Sequence, residues 1–197
     1  MKVGTKSVLF GAHAFYIHPI FVLIAWIKLY GFPYDPRLWI VFFVHDLGYW
    51  GKPNMDGKEG KTHVELGAKI MSIFGKEWSD LSKYHSRFYA KKDGVIPSKL
   101  CIADKLAICL EPSWLYLPRV NWSGEIKEYM KLAESRSLAG EPRTKFEDMK
   151  LATKSQLDWH VAVKSYIRRW IEEHKDGRVD TWTTNTKESI DNNGTYK

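Results

Sequence analysis

Apolar residues along this chain come in runs spaced for helices, with little of the alternation that marks a strand. The segment 18–30, HPIFVLIAWIKLY, is apolar almost throughout and predicts a buried helix. Pro19 is tolerated at a first helical position and Gly31 is a natural stop. Asp35-Pro36 opens a second helix, expected to run to about Gly48. Residues 49–61 then break into a loop rich in glycine, proline and charge. Thr62, with Glu65 three residues on, predicts a capping box for the helix HVELGAKIMSIF, which ends at Gly75. Residues 77–90 place Trp78, Leu81, Tyr84, His85 and Phe88 on helical spacing, and Lys91 to Gly94 form a turn. Ser98 predicts the N-cap of KLCIADKLAICL, and Pro112 follows its end. Residues 112–122, between Trp114 and Trp122, read as an irregular aromatic stretch. Ile126, Tyr129, Met130 and Ala133 give one apolar stripe, and residues 146–175 predict a last long helix. From Asp176 the chain turns polar and is expected to be mobile or loosely docked. The expected fold is all-α: a single helical bundle of about seven helices over residues 1–175, followed by a polar C-terminal tail, 176–197.

Composition narrows this further. A chain of 197 residues suits one domain, and 44% hydrophobic with 14% aromatic content argues against disorder. No membrane span is expected. Ala14 to Phe32 contains His18, Pro19 and Lys28, and its unbroken apolar core, Ile20 to Ile27, falls short of the roughly 20 residues a span needs. His13 and His18 also interrupt any leader-like apolar region. Cys101 and Cys109 lie on one predicted helix with about 12 Å of rise between them, too far for a disulfide. Reduced core thiols and a cytoplasmic protein are the expectation. The net charge of +7 favours an anionic partner: a nucleotide, nucleic acid or an acidic membrane surface. Charge alone does not choose among them.

The chemistry gathers around WIVFFVHDLGYWGKPNMDG, Trp39 to Gly57. Six apolar residues run straight into His45-Asp46. A buried segment ending in an imidazole and a carboxylate requires a partner for them, and a divalent metal ion is one that both groups suit. His18, His63, His85 and Asp104 lie at the ends of, or within, other apolar helices. Each is separated from the next by about the length of one helical hairpin, so successive helices can each offer a ligand to a common centre.

This series resembles the HD-domain superfamily of metal-dependent phosphohydrolases, in its six-ligand, binuclear form. The resemblance covers residues 18 to about 110. HPIFVLIAWIKLYG followed by FFVHDLG is similar to the family's first histidine helix and its HD helix. HVELGAKI is similar to the histidine helix of members with a second metal, and IADKLA to the final aspartate helix. YHSRFYAKKDG stands where the cyclic-dinucleotide branch carries its signature, and lacks it. The resemblance implies that His18, His45, Asp46 and Asp104 hold one ion, and that Asp46 bridges to a second held by His63 and His85. Two ions, drawn from Mn, Fe, Mg, Co or Zn, would activate water against a phosphoester, so no protein nucleophile is required. The substrate implied is a nucleotide or nucleotide-like small anion. Asp46 and Lys105 would be the catalytic groups. Lys52, Arg87 and Lys105 are the candidates for the substrate phosphate, and Lys91 and Lys92 would steer an anion from further out. Asp56 or Glu59 would orient the water or protonate the leaving group.

Other histidines fall outside the series. His13 is expected to be structural or to support a ligand, and His160 and His174 to lie at the surface or a helix end. Trp114 to Trp122 is expected to serve packing more than base stacking. Two competing functions stay open. A di-iron oxygenase of the same superfamily would use a similar ligand set. A non-catalytic protein would use the basic surface to bind a nucleotide or nucleic acid.

Overall fold

The computed structural model describes residues 1–138 and 154–182, and every regular element among them is helical. In chain order these are α1 (Val3–Phe10), α2 (His18–Tyr30), α3 (Pro36–Val44), a 3-10 turn (Leu47–Tyr49), α4 (Lys58–Lys61), α5 (Val64–Met71), a second 3-10 turn (Ser72–Phe74), α6 (Lys76–Lys83), α7 (Arg87–Lys92), α8 (Lys99–Leu110), α9 (Ser113–Ser123), α10 (Glu125–Leu138) and α11 (Gln156–His174). The bundle expected from the sequence is present. It holds more pieces than about seven because short segments such as α4 and α7 also take helical form.

α8 lies at the middle. One side joins Val22, Ala25 and Trp26 of α2, Val41 and Phe42 of α3, and Met71 of α5 in a single apolar cluster. Its opposite side packs Cys101, Ile102 and Cys109 against Ile167, Trp170 and Ile171 of α11. Burial on both sides explains why KLCIADKLAICL is apolar nearly all round. Each large aliphatic or aromatic side chain so buried contributes about 1.5–3 kcal/mol. The two cysteines are free and buried, and burial pushes the Cys101 thiol up to about 12.

Local signals explain several boundaries. Asp35 accepts a hydrogen bond from the Arg37 amide at 2.9 Å and so caps α3. Ser98 caps α8 by accepting from the Cys101 amide at 3.3 Å. Thr62 does not cap α5 as expected. Its hydroxyl donates to Glu59 O at 2.9 Å across the end of α4, and His63 takes the capping position. The helix expected to reach Gly48 stops at Val44, and the one expected over 77–90 breaks between Lys83 and Arg87.

Residues 113–123 are helix, not irregular chain. Pro118 removes the amide that would have bonded the carbonyl of Trp114, but Trp114 is 76% exposed, so that carbonyl can turn to water. The inner face of α9 buries Tyr116 and Val120 against Ile126 and Trp159. α11 begins at Gln156; its expected earlier start at 146 lies outside the described residues. His160 and His174 are buried and not at the surface, and His174 is the last residue of α11, one of the two positions expected for it. His160 stacks on Tyr116, and His174 stacks on Trp170 and donates from Nδ1 to its carbonyl. The start of the tail is tightly packed: Trp182 is fully buried, and Asp180 pairs with Arg87 at 2.7 Å. The tail beyond Trp182 lies outside the described residues.

Candidate metal centre

Five helix ends or breaks and one helix interior bring six side chains together. His18 is the first residue of α2, and His45 the residue after α3. Asp46 precedes the first 3-10 turn, His63 precedes α5, and His85 occupies the break before α7. Asp104 projects from the middle of α8. All six are at least nine-tenths buried. Consecutive residues on a helix diverge by about 100°. Ending α3 at Val44 therefore lets both His45 and Asp46 reach one centre.

Two glycines make the approach close enough. A Cβ on Gly48 would stand 1.8 Å from the His63 carbonyl oxygen, and one on Gly67 would meet Ser82 Oγ at 2.7 Å and His45 Cα at 2.9 Å. The chain segments carrying His45, His63 and His85 touch at these points, and no side chain fits between them.

The six residues form two overlapping groups, His18, His45, Asp46 and Asp104, and Asp46, His63 and His85. Within each group the ligand atoms lie within 4.8 Å of one another. Asp46 belongs to both. Its Oδ2 lies 3.3 Å from His18 Nε2 and 3.1 Å from His45 Nε2, while Oδ1 faces His85 Nε2 at 3.3 Å and His63 Nε2 at 3.6 Å. Asp104 Oδ1 lies 3.0 Å from His18 Nε2 and 3.9 Å from His45 Nε2. Lys105 donates to the other oxygen, Oδ2, at 2.8 Å, so it turns Oδ1 toward the histidines.

Backbone carbonyls set the imidazole tautomers. His45 Nδ1 donates to Phe42 O at 3.0 Å and His63 Nδ1 to Gly60 O at 2.8 Å; His85 Nδ1 donates to Ser82 O. A carbonyl can only accept. With Nδ1 carrying the proton, each neutral ring turns a lone pair on Nε2 into the centre, the arrangement that metal-binding histidines use. The Nε2 atoms of His63 and His85 stand 3.2 Å apart. Two lone pairs at that separation repel unless a cation lies between their axes. Two nitrogens each about 2.1 Å from one ion and about 100° apart would be separated by about this distance.

The electrostatics agree. Burial and neighbouring His85 push His63 down to about 3, so its ring is neutral at ordinary pH. Burial also lowers His45, only partly offset by Asp46. Burial opposes ionisation of Asp46, yet His45, His13 and His18 hold its carboxyl well below the usual range. Asp104 is likewise held down, against burial, by Lys105 and His18. His18 differs: burial disfavours its charge, but Asp104 and Asp46 raise it to about 10. Three buried polar atoms in the centre, His18 Nε2, His45 Nε2 and Asp46 Oδ2, have no partner in hydrogen-bonding geometry. The neutral rings of His45 and His63, the ionised carboxylates and the unsatisfied buried atoms together fit divalent metal ions.

The remaining expected residues are spread more widely. Lys52 Nζ lies 2.5 Å from Thr62 Oγ1, next in the chain to His63. Arg87, expected at a substrate phosphate, is instead committed elsewhere: its guanidinium binds both carboxylate oxygens of Asp180 and the Tyr166 hydroxyl, under the Trp170 ring. Glu59, exposed on α4, accepts from Asn54 Nδ2 at 2.7 Å, and Asp56 in the loop before it is also exposed. Lys92 reaches over Tyr89, and Lys91 helps hold Asp180 ionised. His13 supports the centre from behind, as expected. Its Nδ1 lies 2.8 Å from Ser7 Oγ and 3.5 Å from Glu125, and its ring meets His18 edge-on at 5.6 Å.

Two participants lie outside the series read from the sequence. Tyr49 stacks on His63 with 4.0 Å between ring centroids and 7° between planes. Glu125 is fully buried behind His13 and accepts from Ser7, Ser123, Tyr129 and the Ala12 amide. Tyr49 follows the HD pair closely enough to be sought near it. Glu125 is distant from every ligand in sequence and nothing local marks it. No family model, curated protein or solved structure matches the chain.

Proposed function

We propose that this protein is a metal-dependent phosphohydrolase of the HD type, cleaving a phosphoester of a nucleotide or nucleotide-like small molecule. The observation that carries the reading is Asp46, whose two oxygens face two separate sets of histidines. A carboxylate so placed suits a pair of ions, with His18, His45 and Asp104 completing one set and His63 and His85 the other. When bound, two such ions polarise a phosphoryl oxygen and make a water acidic enough to attack phosphorus.

The chain's own residues supply the rest. Backbone carbonyls hold His45, His63 and His85 in the binding tautomer, so little rearrangement is needed when the ions enter. Tyr49 covers one face of His63 and keeps bulk water from it. Lys105 orients Asp104 and adds positive charge beside it. Lys52, on the loop after the HD pair, bonds to Thr62, the residue before His63, and is the cation assigned to a phosphate on that side. Arg87 has no part in substrate binding in this reading, because Asp180 occupies it.

The test is turnover. Purified protein supplied with Mn²⁺, Mg²⁺ or Co²⁺ is offered nucleoside mono-, tri- and cyclic phosphates. Metal-dependent phosphate release or phosphodiester cleavage, abolished in Asp46→Asn, is expected. Metal-loaded protein that hydrolyses nothing in the panel, or whose turnover consumes O₂, contradicts the proposal; the second result assigns the centre to oxygenase chemistry.

A further inference from the structure

The outer faces of α2 and α3 are apolar, and their large side chains stay partly exposed. Both helices turn their inner faces into one core cluster, through Val22, Ala25 and Trp26 on α2 and Val41 and Phe42 on α3. Their opposite sides therefore form part of one outer wall. On α2 this wall carries Ile20, Ile24 and Ile27, which are 51%, 39% and 40% exposed. On α3 it carries Trp39, Ile40 and Phe43, 37 to 48% exposed. The connecting loop adds Phe32 and Tyr34, the latter 87% exposed. Phe32 meets Tyr34 at 5.0 Å and Trp39 at 6.1 Å, so loop and helix share a continuous surface. Scattered exposed apolar residues are ordinary; a contiguous wall marks a docking surface.

Charge identifies the partner. Between Phe15 and Val44 the sequence holds one acidic residue, Asp35, and Arg37 binds its carboxylate at 2.6 Å. Lys28 stands exposed beside Ile24 and Ile27, and the whole chain carries +7. We propose that this wall docks on the surface of an anionic lipid bilayer. A second copy would set positive against positive, whereas acidic headgroups complement Lys28 and the net charge. Tyr34, an exposed apolar ring with a polar tip, suits the level of the headgroups. No helix among the described residues is long and apolar enough to cross a membrane, so α2 and α3 lie in the plane of the surface. α2 starts and α3 ends at the metal centre, so docking holds that centre at the membrane, about 20 Å along α2 from the loop. The inference stands independently of the hydrolase reading, because its test needs no turnover.

Sedimentation of the full chain with vesicles decides it. Binding is expected to vesicles of phosphatidylcholine with phosphatidylserine, not to phosphatidylcholine alone, and to weaken with salt. A Phe32→Ser/Phe43→Ser variant, checked by circular dichroism, is expected to lose about tenfold or more in binding. Lys28→Glu, at an exposed position where folding is not at stake, should lower binding to the acidic vesicles alone. Wild-type protein that remains in solution with acidic vesicles overturns the proposal. So does a stable dimer in solution that the serine pair converts to monomer, since the wall then belongs to a second copy.

Discussion

His18 sits between two carboxylates with no partner in good geometry for its Nε2. Without metal, those carboxylates raise it to about 10, above the roughly 6.5 of an unfolded histidine. Its proton therefore stabilises the metal-free fold fully below about pH 6.5, and that stabilisation is lost as pH rises toward about 10. An entering ion must displace this proton, so apparent metal affinity should climb about tenfold per pH unit from neutrality upward. Titration calorimetry at one pH, in buffers of different protonation enthalpy, should register release of nearly one proton per first ion bound. A pH-independent affinity would argue against the assignment. Lys105 acts through Asp104: Lys105→Met should weaken the first ion about tenfold while leaving the His63 and His85 set unaffected, as read by metal titration. The six clustered side chains were legible in the sequence because imidazoles and carboxylates are rare at the ends of apolar runs. Tyr49 and Glu125 were not, since their contributions depend on chain segments that meet only in the fold.

Among the elements, the breaks matter more than the helices. Gly48 lets the turn after α3 lie against the His63 backbone, where a Cβ would come within 1.8 Å of its carbonyl. Gly48→Ala is expected to displace His63, and metal titration should then show the second ion lost before the first. The segment 176–182 anchors α7 through the Arg87–Asp180 pair, almost wholly buried. Removing one partner of a buried pair leaves an uncompensated charge, so Asp180→Asn should cost about 3 kcal/mol in denaturant unfolding, and Arg87→Met added to it should recover part of the loss. Asp180 is held below its ordinary value, against burial, by Arg87. The stability from this pair is thus present above the unfolded carboxyl pKa, about 3.9, and is lost as pH falls through the lower folded value. Apolar periodicity located α2, α3, α5 and α8 and their caps at Asp35 and Ser98. It missed α9, where Pro118 and a crowd of aromatics disguise a helix whose inner face is ordinary core. The position of Arg87 beside His85 points it at a substrate phosphate, because an arginine two residues from such a histidine looks alike whether it faces a phosphate or a buried aspartate supplied from far along the chain.

At the scale of the molecule, α8 is the keel. One side closes the core that holds α2, α3 and α5, the other receives α11, and Asp104 emerges between them. The arrangement places six candidate ligands in one buried centre whose halves share Asp46. Metal content reads this out most directly. Purified protein offered manganese, iron or zinc and then dialysed should hold two ions per chain. A His63→Ala/His85→Ala variant should hold one, and Asp46→Asn none tightly. Folded wild-type protein that retains no ion, or an Asp46→Asn variant that keeps the full complement, would contradict the shared centre.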